Sequence, residues 1–377
     1  MANFNDPALK YKIAINLIPG VGGVLAKKLI EYTGSPEEVF KSGKYLLEKI
    51  PGIGKTLAES ITNHTIIIKA EKEIGFLSKY GIKALYYLDD DYPQRLKECP
   101  DSPVILYFKG NTELDSAKAL SIVGTRNASS YGLDYCRNLV SEIAARGHNP
   151  LIISGLAYGI DICAHKAALD QGLQTVAALA HGLSTIYPSA HRNFAQKIIG
   201  QGALVTDFAS SALPERGSFI RRNRIIAGLA EAVIVIESSK KGGSLITADL
   251  ASSYNRDVFA LPGRISDERS QGCNNLIKTN KAALIEGVKD IEYLLGWPPP
   301  ERTEKKNDPP QTENINEEEK SILRLLEAER ELSADYISNE TGFSTSKTSG
   351  LLLNLEFSGY ITSLPGKIYR LPEKFSQ

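Results

Sequence analysis

Arg221, Arg222 and Arg224 surround Asn223 just after Phe219, where an apolar run of helical spacing begins at Ile225. Guanidiniums stay charged at neutral pH and fork onto phosphate oxygens, while an aromatic ring supplies a flat stacking face. A helix start adds unpaired N–H groups and the positive end of its dipole. The combination suits a ligand that carries both phosphates and planar groups. The plainer reading is a solvated arginine cluster that caps a helix. Glycine-rich loops on both sides in sequence favour the ligand.

The first such loop, Gly124-Thr125-Arg126, ends an apolar run and precedes a helical stretch, so backbone N–H groups, a hydroxyl and a guanidinium converge on one anion. Neither Gly-x-Gly-x-x-Gly nor a Walker sequence occurs, which argues against a nucleotide triphosphatase. The second loop, 154–161, has Gly155 and Gly159 for a close turn, then Asp161 and His165 on one helix face. An acid–histidine pair invites a catalytic reading. No nucleophile accompanies it, so Asp161 is read as ordering the loop and His165 as packing below it. A third approach, Arg216 and Ser218, leads into the arginine helix. The fourth loop is Lys240-Lys241-Gly242-Gly243-Ser244, followed by Arg256 and a Pro262-Gly263-Arg264 turn. Together the loops are expected to form one basic rim holding Arg126, Arg221, Arg222, Arg224, Lys240, Lys241, Arg256 and Arg264. Phe219 among these cations favours single strands over duplex, because only unstacked bases expose their faces.

These loops need strands to carry them. Between residues 81 and 287, short β-branched runs alternate with helical stretches. Residues 82–87, 104–108, 119–123, 151–153, 175–179, 204–206, 232–237 and 258–261 read as strands. Their apolar residues do not alternate, so both faces are buried: a parallel sheet between helical layers, α/β and Rossmann-like, with its ligand at the strand C-terminal ends. Residues 1–75 hold two copies of an Ile-Pro-Gly-x-Gly hairpin, at Ile18–Gly22 and Ile50–Gly54, and read as a tandem helix-hairpin-helix (SAM-like) domain. Such hairpins expose backbone N–H groups to phosphates, or pack only on protein. The Rossmann-like domain is assigned to 76–296, a flexible linker to 297–314 and a winged helix to 315–377. That last segment has 7 basic and 10 acidic residues, a balance of −3 that suits a protein partner better than duplex DNA.

Composition narrows the classes. In 377 residues, 44 Lys and Arg balance 44 Asp and Glu, so any nucleic-acid site is a local patch. The four cysteines are scattered and the five histidines lack metal-ligand spacing, so reduced thiols, no metal and no cofactor are expected. No signal pattern or membrane span is visible, and a cytoplasmic location is expected.

The motifs as a set resemble the DNA processing protein A (DprA, or Smf) family. The match runs through Tyr92-Pro93, Tyr107-Phe108-Lys109-Gly110, residues 122–126, 154–165, 219–229, 242–248, 257–263 and Asn274-Asn275-Leu276-Ile277, and the flanking modules fit a full-length member. The resemblance implies a non-enzymatic protein that binds single-stranded DNA, loads the RecA recombinase in natural transformation and dimerises through its Rossmann-like domain. It implies that Gly124, Thr125 and Arg126 hold a phosphate and that Phe219 stacks on a base. Arg216, Arg221, Arg222 and Arg224 would complete the pocket, with Asn223 as a polar contact. Two alternatives differ in class: a nucleotide-binding hydrolase of the lysine-decarboxylase-like superfamily, and a nucleotide-sensing adaptor. The hydrolases carry Pro-Gly-Gly-x-Gly-Thr-x-x-Glu, and residues 242–249 here lack its second Gly-Thr pair and its glutamate.

Overall fold

The structure is a computed structural model that describes residues 6–298 and 316–371, apart from 330, 359 and 365. The expected linker therefore lies outside the described residues except for Trp297 and Pro298. The chain divides into two compact units, Met1–Glu301 and Arg302–Gln377.

The first unit opens with six helices: α1 (Leu9–Asn16), α2 (Gly23–Thr33), α3 (Pro36–Lys41), α4 (Lys44–Leu47), α5 (Lys55–Ile61) and α6 (Thr65–Tyr80). The repeated hairpins sit before α2 and α5, where Gly20 and Gly52 adopt left-handed backbones at φ 78° and 95°. Helix α6 runs past the expected boundary at residue 75, because Leu77 still faces the helical core. That core continues into Tyr86, Ile105 and Tyr107 of the neighbouring sheet, so the helical module is built onto the sheet edge.

The sheet and its helices follow in chain order as β1 (Lys83–Tyr86), α7 (Gln94–Lys97), β2 (Ile105–Gly110), β3 (Ala119–Gly124), α8 (Ser130–Ala145), β4 (Leu151–Ser154), α9 (Ile160–Asp170), β5 (Thr175–Ala178), α10 (Arg192–Gln201) and β6 (Ala203–Thr206). Then come α11 (Arg216–Leu229), β7 (Ala232–Ile236), α12 (Gly243–Ser253), β8 (Asp257–Ala260), α13 (Gln271–Lys278), β9 (Ala283–Leu284) and α14 (Val288–Leu295). The nine strands lie in the order β1-β2-β6-β5-β4-β3-β7-β8-β9. Strands β3 to β9 run parallel, while β2 is antiparallel to both β6 and β1. Every residue of β4, β5, β6 and β7 is buried, as non-alternating apolar runs require. The chain moves outward from β3 through β4, β5 and β6, then crosses back to β7 on the other side of β3. That reversal leaves a crevice beyond the C-terminal ends of β3 and β7, the place where doubly wound sheets hold ligands.

The second unit has α15 (Glu317–Ala328), β10 (Leu332–Ser333), α16 (Ala334–Thr341), α17 (Thr345–Phe357), β11 (Thr362–Leu364) and β12 (Ile368–Arg370). Its strands pair as β10-β12-β11, giving a winged helix around Ile322, Leu326, Ile337, Leu352 and Leu355. No helix among the described residues is long and apolar enough to cross a membrane.

A polar clasp closes the sheet domain at the end away from the crevice. Glu292 of α14 accepts from Arg146 Nε at 2.8 Å and Nη2 at 2.6 Å, and meets His148 Nε2 at 2.7 Å. Trp297 packs against His148 with 5.2 Å between ring centres. The Arg146 hydrogen bonds, joined by His148, hold the Glu292 carboxyl down at about 2, against an ordinary 4.5. A carboxyl depressed on folding stabilises above its unfolded value and loses that contribution as pH falls through its folded value. Thermal melts should therefore place the native chain above Glu292→Gln at neutral pH. The gap should close between pH 4.5 and about 2, and a gap that persists unchanged through that window would remove the clasp from the account.

Candidate nucleic-acid interface

A cleft of about 620 Å³ occupies the crevice between the ends of β3 and β7. Its lining includes Gly124, Thr125 and Arg126 from the first loop, and Lys241, Gly242, Gly243 and Ser244 from the fourth. Arg216, Phe219, Arg222 and Asn223 of α11 complete the opposite wall. The sequence thus places these eleven residues around one cavity although they span some 120 positions.

The first loop is held flat by its own Gly124 and by Gly159 of the second loop, neither of which has room for a side chain. A Cβ on Gly124 would strike Ile236 O and the Ile160 side chain. Gly159, at φ 75°, lies against Thr125 O so closely that any Cβ would overlap it. Thr125 N donates to Glu237 O at 2.9 Å, which fastens the loop to the end of β7. Helix α12 then begins at Gly243 behind an N-cap glycine that gives no side-chain cap. Its first-turn N–H groups and dipole therefore face the cleft without a competing side-chain acceptor. Ser244 is buried and donates to Ser238 Oγ at 2.9 Å, so it shapes the turn. Asn223 Nδ2 reaches Gly243 O at 3.4 Å and ties α11 to α12.

Above this floor of glycines and backbone amides, the exposed Arg126 guanidinium lies 4.9 Å from the centre of the Phe219 ring. Tyr187 comes within 5.9 Å of the same ring, and it also lines the cleft. The sequence reading missed Tyr187, whose only signal is an aromatic residue in the loop between β5 and α10. It also missed Glu237, a buried carboxylate that accepts from Ser129 N at 2.8 Å and from Ser129 Oγ. Glu237 orders the start of α8 beside the first loop.

Arg222 forms the floor of the cleft and not its rim. It is 4% exposed, and Nη1 donates to Ala178 O at 2.7 Å. Gly155 leaves the room it occupies, since a Cβ there would overlap the guanidinium. Burial pushes Arg222 down to about 10, opposed by the charge of Asp161, so it remains protonated at neutral pH. Burial pushes the Asp161 carboxyl up, opposed first by Arg222 and then by the Ala157 N–H, which donates to Oδ2 at 3.4 Å. His165 is fully buried, with Nδ1 2.7 Å from Thr175 Oγ1. Burial pushes it down to about 3, so the imidazole is neutral and sits in the core under the loop.

The single rim expected from the sequence divides. Arg221 and Arg224 both turn to Asp207, and Arg224 also donates to Asp101 O. Arg256 donates to Arg95 O at 2.8 Å and pairs with Glu98, away from the cleft. Lys240 and Arg264 are exposed but do not line the cavity. Gly263 lies against Ser270 in a turn held by Asn274. The cause is helical geometry: at about 100° per residue, Arg221 and Arg224 share a face while Arg222 takes another.

Residues 83–296 match the family of the DNA recombination-mediator protein A, 305–367 the DprA winged helix domain and 15–64 the SAM-like helix-hairpin-helix tandem. Protein Smf of Synechocystis sp. is 31% identical over 96% of this chain and 98% of its own length. The DNA processing protein DprA of Streptococcus pneumoniae is 39% identical over 54% of this chain and 71% of its own. Its X-ray structure aligns with a TM-score of 0.63 at 31% identity, covering 75% of this chain and 97% of that one. A Helicobacter pylori DNA processing protein A, solved for insight into its single-stranded DNA binding mode, aligns with a TM-score of 0.52 at 30% identity, covering 58% and 97%. The sheet domain, both flanking modules and a relative matched over nearly its full length agree: this chain belongs to the DNA recombination-mediator protein A (DprA/Smf) family.

Proposed function

We propose that this chain binds single-stranded DNA in the switch-point cleft and delivers it to the RecA recombinase in transformation and recombination. It acts as a cytoplasmic homodimer, joined through its Rossmann-like domain, and catalyses no reaction itself. One observation carries the DNA part: the glycine floor and the open start of α12 face the same cavity as the Arg126–Phe219 pair. Amides and cations hold phosphates of any sequence, and Phe219 with Tyr187 offers faces to unstacked bases. Family membership supports the role in recombination, and the H. pylori relative supports the strand preference. The buried positions of Asp161 and His165 support a structural role for that pair. On α17, Lys347 is paired with Glu318 at 2.6 Å, which supports a protein partner for the winged helix.

Fluorescence anisotropy with a labelled oligothymidine tests this reading. Arg126→Ala and Phe219→Ala should each weaken binding about tenfold. Arg126→Ala should also lower the salt slope by about 0.7, as one lost phosphate contact requires. Full affinity and an unchanged slope in both variants would sink the assignment. Arg224→Ala should instead lower thermal stability, because it strips a partner from the buried Asp207. A chain truncated after Glu301 should keep its single-strand affinity, and loss of binding in a folded truncation would place part of the site on the winged helix.

A further inference from the structure

A second cleft, of about 710 Å³, lies between the first hairpin and the sheet domain. It shares Ile220 and Ile246 with the switch-point cleft, so the two cavities abut across these residues. Both isoleucines are exposed, at 51% and 36%. On one wall the Arg221 guanidinium lies 4.8 Å from the centre of the Phe208 ring and is fixed there by Asp207. Planar guanidinium on a ring leaves its outer face open to a further planar group. Asp207 also lines this cleft, and its Oδ1 has no hydrogen-bond partner among the described residues. At the far end, Gly20 and Gly22 present N–H groups that have no partner among the described residues.

We propose that this cleft is a second subsite for the same DNA strand. The strand leaves the switch-point cleft over Ile220 and Ile246, stacks a base on the Arg221–Phe208 pair and sets a phosphate on the Gly20–Gly22 amides. Asp207 stays buried behind Arg221 and Arg224 and holds the Arg221 guanidinium in place for that base. The inference rests on the proposed function of the first cleft. It assigns the hairpins unequal roles. Lys27, one of two lysines beside the first hairpin, docks it to the sheet domain by donating to Ser102 Oγ at 2.7 Å and Cys99 O at 3.3 Å. The second hairpin lines neither cleft. Charge nearly cancels where Arg221 and Arg224 face Asp207 and Asp101, so the added affinity comes from stacking and burial more than from counterion release.

Gly22→Asp tests the phosphate end. Gly22 has an ordinary φ of −90°, open space where a Cβ would go, and the N-cap position of α2, at which aspartate is favoured. Gly54→Asp is its matched control, with the same φ, the same open space and the N-cap position of α5. Phe208→Ala tests the stack independently. The full chain is titrated with labelled oligothymidines of increasing length. Gly22→Asp and Phe208→Ala should each weaken long strands about tenfold while leaving the shortest bound strand unchanged, and Gly54→Asp should change neither. Undiminished long-strand affinity in both variants, or an equal loss from Gly54→Asp, overturns the second subsite. Failure of the native chain to bind any strand overturns the first cleft with it.

Discussion

The Arg222 guanidinium sits beneath the cleft, almost sealed from water, against Gly155 and the carbonyl of Ala178. Burying a charge of that size costs several kcal/mol, about what only a fitted counter-charge and good hydrogen bonds can offset. Asp161 supplies the counter-charge from the start of α9, and β5 supplies the carbonyl. One side chain of α11 is thereby locked to the end of β5, to the second glycine loop and to the start of α9. Phe219, nearly one turn earlier on the same helix, is consequently held over the first loop, where it meets Arg126. A lysine could not replace this group, because its point charge would not follow the plane that Gly155 leaves open.

The crossover from β6 to β7 has a second anchor in Asp207. Its carboxylate draws Arg221 and Arg224 to the opposite face of α11, so the helix divides its arginines between two cavities. The helical module is fastened at the same place: Asn16 Nδ2 donates to Asp207 O at 2.9 Å. Nearby, Glu73 of α6 accepts from Ser210 N at 2.8 Å and Oγ at 2.6 Å. The module is thus a wall of the second cleft, held by polar contacts to the loop after β6 as well as by the shared core.

Much of this was legible in the residues. Apolar runs without alternation marked β3 to β8, and glycines after strand ends marked the loops of the cleft. Strand direction was not legible: residues 104–108 read like their neighbours, yet β2 runs antiparallel, because a buried strand is apolar whichever way it points. The two-residue β9 was too short to carry a pattern. The arginine cluster announced a charged site, but linear proximity concealed the rotation that sends Arg222 inward and Arg221 and Arg224 to Asp207. Tyr187 enters the site through the fold of its loop, and no local pattern distinguishes it from other tyrosines. Nothing in the local sequence marks Lys27 as the residue that docks the first hairpin to the sheet domain.

The central claim is that phosphates and bases of one strand meet at the switch point between β3 and β7. A crystal structure of the full chain with a short oligothymidine tests it most directly. A phosphate should lie on the amides of Gly124–Arg126 and the start of α12, with a base against Phe219. A strand bound elsewhere on the chain, with that cleft empty, would contradict it.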